Sequence, residues 1–138
     1  ITTGSNPDAN YSEVNPHTGR FRLTHYKSSA YNVATSQTIT GLTNGLYTLQ
    51  AWVVSPQAMV SNYLFAKDFG GAQMTTDIPV TAGWKKIRIT NINVTNGQCT
   101  IGLATAGNAR YCSLDDIEFG SNKPLKVDNQ CSNPDLSR

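Results

Sequence analysis

Charge is what this chain has least of. Charged residues make up 14% of its 138 positions, against roughly 25% in ordinary soluble domains. The net charge of +2 comes without any dense run of Lys or Arg, which excludes an electrostatic grip on nucleic acid or on an anionic membrane. No stretch approaches the roughly 18 consecutive apolar residues of a membrane span. The three cysteines form no CxxC pair, so neither a zinc ribbon nor a redox motif is indicated. With two histidines, His17 and His25, a nucleophile–histidine constellation has few ways to form. A helical period is missing throughout. An initiator Met and a secretory leader are also missing, so the chain reads as processed or excised from something longer.

Thr, Asn, Ser and Gln take the place of charge, a composition that suits an extracellular β-rich protein whose surface bonds neutral polar ligands. Gly41–Ser55 (GLTNGLYTLQAWVVS) is a turn followed by a strictly alternating strand. Tyr47, Leu49, Ala51 and Val53 fall on one face and suit a core; Thr48, Gln50 and Trp52 fall on the other. Further strands are expected over 20–27, 33–42, 58–69, 73–80, 84–95, 98–104 and 111–119. The Asn-Gly turn signals at Asn44-Gly45 and Asn96-Gly97 separate some of them. Residues 1–18, rich in Asn, Pro, Ser and Gly, read as irregular. About eight to ten short strands with regular turns predict an all-β sandwich, best a jelly roll, over residues 1–120. Residues 121–138 lose the alternation and read as a linker or surface-laid tail.

Catalysis finds little support. Glycoside hydrolysis needs two carboxylates facing one bond, and Asp115 and Asp116, adjacent in a strand, are expected to point to opposite faces. Glu13, Asp68, Asp77 and Glu118 are scattered. His25 follows Leu23 on the inward face and reads as a satisfied structural histidine. Cys99 and Cys112 read as small buried hydrophobes, with a bridge between them the alternative if their strands are neighbours. Asp115 shares a face with Ile117 and Phe119, which predicts an inward carboxylate. Such a group needs a partner, either loop amides or a structural calcium ion completed by carbonyls near Thr18 or Gly19.

Five segments together carry a resemblance: Arg22–Tyr26 (RLTHY), Gly41–Trp52 (GLTNGLYTLQAW), Leu64–Gly71 (LFAKDFGG), Ile92–Gly102 (INVTNGQCTIG) and Asp115–Phe119 (DDIEF). Over roughly residues 19–120 the chain resembles carbohydrate-binding module family 61. The resemblance implies a galactose-binding-domain-like jelly roll with bound calcium. It also implies binding of β-1,4-galactan and attachment to a secreted plant cell-wall-degrading enzyme. The family pattern often has Trp where this chain has Tyr26, and Asn followed by Trp where it has Arg110 and Tyr111.

Aromatic rings stack on the apolar faces of sugars, and planar polar groups bond vicinal hydroxyls. On that basis the carbohydrate-binding candidates are Trp52, as first platform, with Tyr26, Gln50, Tyr31, Phe65, Lys67, Asn108, Arg110 and Tyr111. Asp115 is the candidate calcium ligand. Trp84 reads as structural, closing one end of the sandwich. A monomer is expected, with an adhesion or protein-docking sandwich as the rival outside the glycan-binding class.

Overall fold

A computed structural model describes residues 2–4, 9–12, 17–18 and 22–122. Among them ten strands occur: β1 (Thr2–Gly4), β2 (Ala9–Ser12), β3 (Arg22–His25), β4 (Ala30–Ile39), β5 (Gly45–Val54), β6 (Ser61–Lys67), β7 (Met74–Asp77), β8 (Lys85–Val94), β9 (Cys99–Asn108) and β10 (Cys112–Ser121). They form two five-stranded antiparallel sheets, ordered β1-β4-β9-β6-β7 and β2-β3-β10-β5-β8. All eight strands read from the sequence are present. Two more, β1 and β2, lie in the segment read as irregular; each is short and finds its pairing only at a sheet edge. Strand β9 runs four residues further than expected, through 105–108. Apart from Ser121, which ends β10, and Asn122, the expected tail lies outside the described residues.

The core lies between the sheets. Leu49, Ala51 and Val53 of β5, Ile87, Ile89, Ile92 and Val94 of β8, and Leu114 of β10 meet Leu64 and Ala66 of β6 and Ile101 and Leu103 of β9. The alternation of β5 holds along its whole inner face.

Two bulges reset that parity elsewhere, because an extra residue on one strand transfers every later side chain to the other face. In β8 the register shifts by one between Tyr47 and Leu49 of β5, with Asn91 in the left-handed region at φ 59°. This is why Ile89 and Ile92, three apart, are both buried. In β10 the shift falls between Asp115 and Glu118, and Asp116 has φ 50°. Leu114 and Phe119 therefore both face inward, Phe119 stacking on Tyr47 at 5.0 Å between centroids.

The second bulge overturns the sequence reading of Asp115. The sequence placed it inward with Ile117 and Phe119; instead Asp115 lies opposite the outward-facing Trp52 and Ile117 is 40% exposed. Cys99 and Cys112 are free and buried. They sit on different sheets and far apart along them: Cys99 begins β9, while Cys112 lies by Asn62, which pairs with Thr105 near the other end of β9. Burial pushes both thiols up to about 11. Cys131 lies outside the described residues.

Candidate functional site

The pairing of β3 with β10 ends at His25 opposite Cys112. Tyr26 and Tyr111 are the next residues beyond that last pair, one on each segment, at this end of the ladder, which is one rim of the sandwich. Tyr26 is 41% exposed. The β9–β10 loop supplies the rest of the rim. Asn108, exposed, ends β9 opposite Ala30, the first residue of β4. Ala109 turns the chain with φ 56° and donates its N–H to the Lys27 carbonyl at 3.0 Å. Arg110 is exposed and donates from Nη1 to the Ala58 carbonyl at 2.6 Å, which ties the loop to the segment between β5 and β6. Four sequence candidates, Tyr26, Asn108, Arg110 and Tyr111, thus lie on two adjoining segments, tied by the Ala109–Lys27 bond.

Tyr31 supports this rim but does not line it. It is 5% exposed, a correction to its reading as a groove residue; the inward parity it shares with Val33 takes the ring under the loop. Its hydroxyl donates to the Arg110 carbonyl at 2.6 Å and lies 3.2 Å from the His25 carbonyl.

Beneath runs a buried polar chain. Thr105 Oγ1 donates to Asn62 Oδ1 at 3.1 Å, so the hydroxyl proton is used and His25 Nδ1, 3.0 Å away, must be the donor to Thr105. His25 Nε2 then accepts from Thr35 Oγ1 at 2.8 Å, and Asn62 donates onward to Ser55 Oγ at 3.3 Å. The imidazole is a neutral structural histidine, as expected. Burial pulls it down to about 4.

Trp52 and Gln50 belong elsewhere, on the outward face of the β2-β3-β10-β5-β8 sheet. The side of the sheet is as expected, but the openness is not. His17 lies flat on the indole, with centroids 4.0 Å apart and planes at 18°, and its ring meets Trp84 edge-on at 5.6 Å. A cleft of about 350 Å³ opens beside Trp52, lined by Thr18, Gln50, Lys86, Asp116 and Glu118 among others. Gln50 donates from Nε2 to Glu118 Oε1.

His17 is held by the bulge. Its backbone N–H and that of Thr18 donate to Asp115 Oδ2 at 3.0 and 3.2 Å. Its Nδ1 bonds Asp116 Oδ2 at 2.5 Å, and Thr18 Oγ1 donates to Asp116 Oδ1 at 2.6 Å. Hydrogen bonds from Thr18 and then His17 hold the Asp116 carboxyl below its ordinary value. The two carboxylates therefore serve one side, not opposite faces as adjacency in a regular strand predicts. The left-handed turn at Asp116 swings both toward residues 17 and 18.

This arrangement also bears on calcium. What reaches Asp115 among the described residues is three backbone N–H groups, those of His17, Thr18 and Asp116, the last at 2.8 Å from Oδ1. A hard cation needs oxygen ligands. Asp115 Oδ2 and Oδ1 meet donors instead, and no third carboxylate joins Asp115 and Asp116 among the described residues. Gly19 lies outside them.

Phe65 and Lys67 share the outward face of the other sheet, remote from both clusters. Phe65 is 5% exposed because its ring lies over Gly102, whose missing side chain makes room for it. Lys67 Nζ caps that ring at 5.6 Å from its centroid. A platform for a sugar is excluded there; the pair is a packed aromatic with a snorkelling lysine. Lys86 escaped the sequence reading, and His17, Thr18 and Asp116, weighed there for other roles, were not placed beside Trp52. A consecutive Asp pair near a strand's middle is the signal that a bulge could have explained.

No protein-family model matches the chain, and no curated protein matches it. Solved structures do. TmCBM61 in complex with β-1,4-galactotriose superposes with a TM-score of 0.79 and 22% identity, over 88% of each chain. The CBM22-1 xylan-binding domain of Paenibacillus barcinonensis Xyn10C gives 0.58 and 13% identity, over 86% of this chain and 83% of that one. The module CBM6cm-2 of Cellvibrio mixtus lichenase 5A, in complex with cellotriose, gives 0.53 and 22% identity, over 88% and 91%. The fold of this chain is the β-sandwich jelly roll of carbohydrate-binding modules.

Proposed function

We propose that this chain is a non-catalytic module that binds a neutral plant cell-wall polysaccharide, foremost β-1,4-galactan, at the rim formed by Tyr26, Asn108, Arg110 and Tyr111. The observation that carries the reading is the placement of Tyr26, exposed, and Tyr111 at the end of one ladder, beside the loop that carries Asn108 and Arg110, on a carbohydrate-binding-module fold. Tyrosine rings stack on the apolar faces of sugars, while Asn108 and Arg110 bond vicinal hydroxyls. The similarity to a module holding β-1,4-galactotriose favours galactan. Similarity to xylan- and cellotriose-binding modules makes another β-glycan the second reading. A shallow rim with one or two stacked rings corresponds to about 4 to 8 kcal/mol, that is millimolar to micromolar affinity. Such a module works as a secreted monomer attached to a glycoside hydrolase, whose local concentration on the substrate it raises.

Affinity electrophoresis in gels containing galactan, xyloglucan, mannan or xylan tests this. Galactan is expected to retard the protein most. Tyr26→Ala and Tyr111→Ala are each expected to weaken binding about tenfold, the worth of one stacked ring. Equal mobility in all four gels would overturn the reading.

A further inference from the structure

The two Asn-Gly turns, Asn44-Gly45 and Asn96-Gly97, meet in the folded molecule. Gly97 donates its N–H to Asn44 Oδ1 at 3.0 Å, and its carbonyl accepts from the Leu42 N–H at 2.9 Å. The contact lies away from the rim, toward the end of the β10–β5 ladder where Ser121 pairs with Tyr47. An Asn-Gly pair is open to self-modification, because a residue without a side chain leaves its backbone nitrogen unhindered. We propose that Asn44 is a self-modifying residue, converting to aspartate and isoaspartate through a cyclic imide with Gly45, and that Asn96, in the same dipeptide, is held inert by Asn44.

The chemistry needs only base and water. The Gly45 nitrogen gives up its proton and attacks Asn44 Cγ. The bond from Cγ to Nδ2 breaks, the nitrogen takes up a proton, and ammonia leaves as the imide ring closes. Water then opens the ring at either carbonyl, giving aspartate or isoaspartate. One ammonia departs, one water enters, and nothing is oxidised or reduced.

Geometry separates the two asparagines. Negative charge develops on Oδ1 during attack at Cγ, and at Asn44 the Gly97 N–H already points at that atom, an oxyanion-hole arrangement. A side chain at Gly45 would meet nothing within 4 Å, so the space beside it is open. Gly45 is also the terminal residue of the β5–β8 ladder, opposite Val94, and ladder ends open most readily. Asn44 is exposed on the wall of an open cavity of about 580 Å³, which admits water.

Asn96 is equally exposed but is held on every side. Its Nδ2 donates to the Asp68 carbonyl at 3.2 Å, and its Oδ1 accepts from the Gln98 N–H at 3.4 Å. The nitrogen that would attack it, that of Gly97, has committed its N–H to Asn44. Ring closure at Asn96 therefore breaks three hydrogen bonds. Aspartate at position 44 still accepts from Gly97 and keeps the clasp. Isoaspartate lengthens the backbone just before the first β5–β8 pair and loosens it.

Peptide mapping by mass spectrometry, on folded protein aged in mildly alkaline buffer, tests the proposal. Asn44 is expected to convert at least about tenfold faster than Asn96, the rate equivalent of one hydrogen bond. In urea the two are expected to convert at comparable rates. Asn44→Ala is expected to speed conversion of Asn96 about tenfold, while Asn44→Asp, which keeps the acceptor, leaves Asn96 slow. Thermal melts establish that each variant is folded, and the wild-type comparison stands without them. Asn44 converting no faster than Asn96 in the folded protein overturns the reactive site. Asn96 equally slow in folded Asn44→Ala overturns the clasp.

Discussion

The ring of His17 covers Trp52 in near-parallel contact, 4.0 Å between centroids, while its Nδ1 bonds Asp116 at 2.5 Å. One loop side chain thereby ties the β10 bulge to the outward face of β5.

His17→Ala removes the stack and the Asp116 bond together. The stack is worth about 1 kcal/mol, so urea unfolding at pH 7 is expected to show a loss of at least that size. The Asp116 carboxyl is lowered by its hydrogen bonds. Its contribution is therefore full above the unfolded carboxylate range and disappears as pH falls through the lowered folded value. Asp116→Asn is expected to flatten the most acidic limb of the stability curve. An unchanged acid limb in this variant would contradict the Thr18 and His17 bonds.

His25 acts in a higher window. Its folded value of about 4 lies below the ordinary 6.5 of a solvated imidazole. The unfolded chain takes up a proton first, so stability is full above about pH 6.5 and falls progressively to pH 4. The whole difference amounts to about 3 kcal/mol. Chemical denaturation at pH 7, 5.5 and 4.5 should trace this decline, and His25→Gln should remove it. A wild-type curve that is flat between pH 6.5 and 4 would rule out a neutral buried imidazole.

Gly102 and Phe65 form a close fit. A β-carbon at Gly102 would come 2.4 Å from the Thr35 carbonyl oxygen and 2.5 Å from Phe65 Cζ. Gly102→Ala forces backbone or ring to move and is expected to cost about 1 to 3 kcal/mol. Phe65→Ala is expected to cost about 3 to 5 kcal/mol. Neither should change galactan affinity in the molecules that remain folded. A stable Phe65→Ala protein with lost binding would restore Phe65 as a sugar platform.

Asp115 is satisfied by three amides. Asp115→Ala leaves them without their acceptor and is expected to cost about 2 kcal/mol. Thermal melts of the unsubstituted protein are expected to be equal with calcium and with chelator. A melting temperature raised by calcium, and lost on Asp115→Ala, would replace the amide account with a metal one.

The two-residue period of β5, the Asn-Gly turns and the spacing of the strands are local properties, carried by propensity and side-chain alternation. From them the all-β sandwich, the inner face of Leu49, Ala51 and Val53, and the outward side of Trp52 were legible. So was the buried, neutral role of His25.

Bulges were not legible, because one inserted residue leaves the composition of a strand unaltered while reversing its faces. Asp116 moved Asp115 outward and exposed Ile117; Asn91 did the same to the far end of β8. Nor could alternation tell that Phe65 would sink over a glycine on a neighbouring strand, or that Tyr31 would pass beneath a loop about eighty residues further along the chain. Local sequence determined which residues form strands and which side of β5 is dry. Packing between distant segments decided which aromatics reach water, because exposure depends on what the other sheet and its loops lay over each ring.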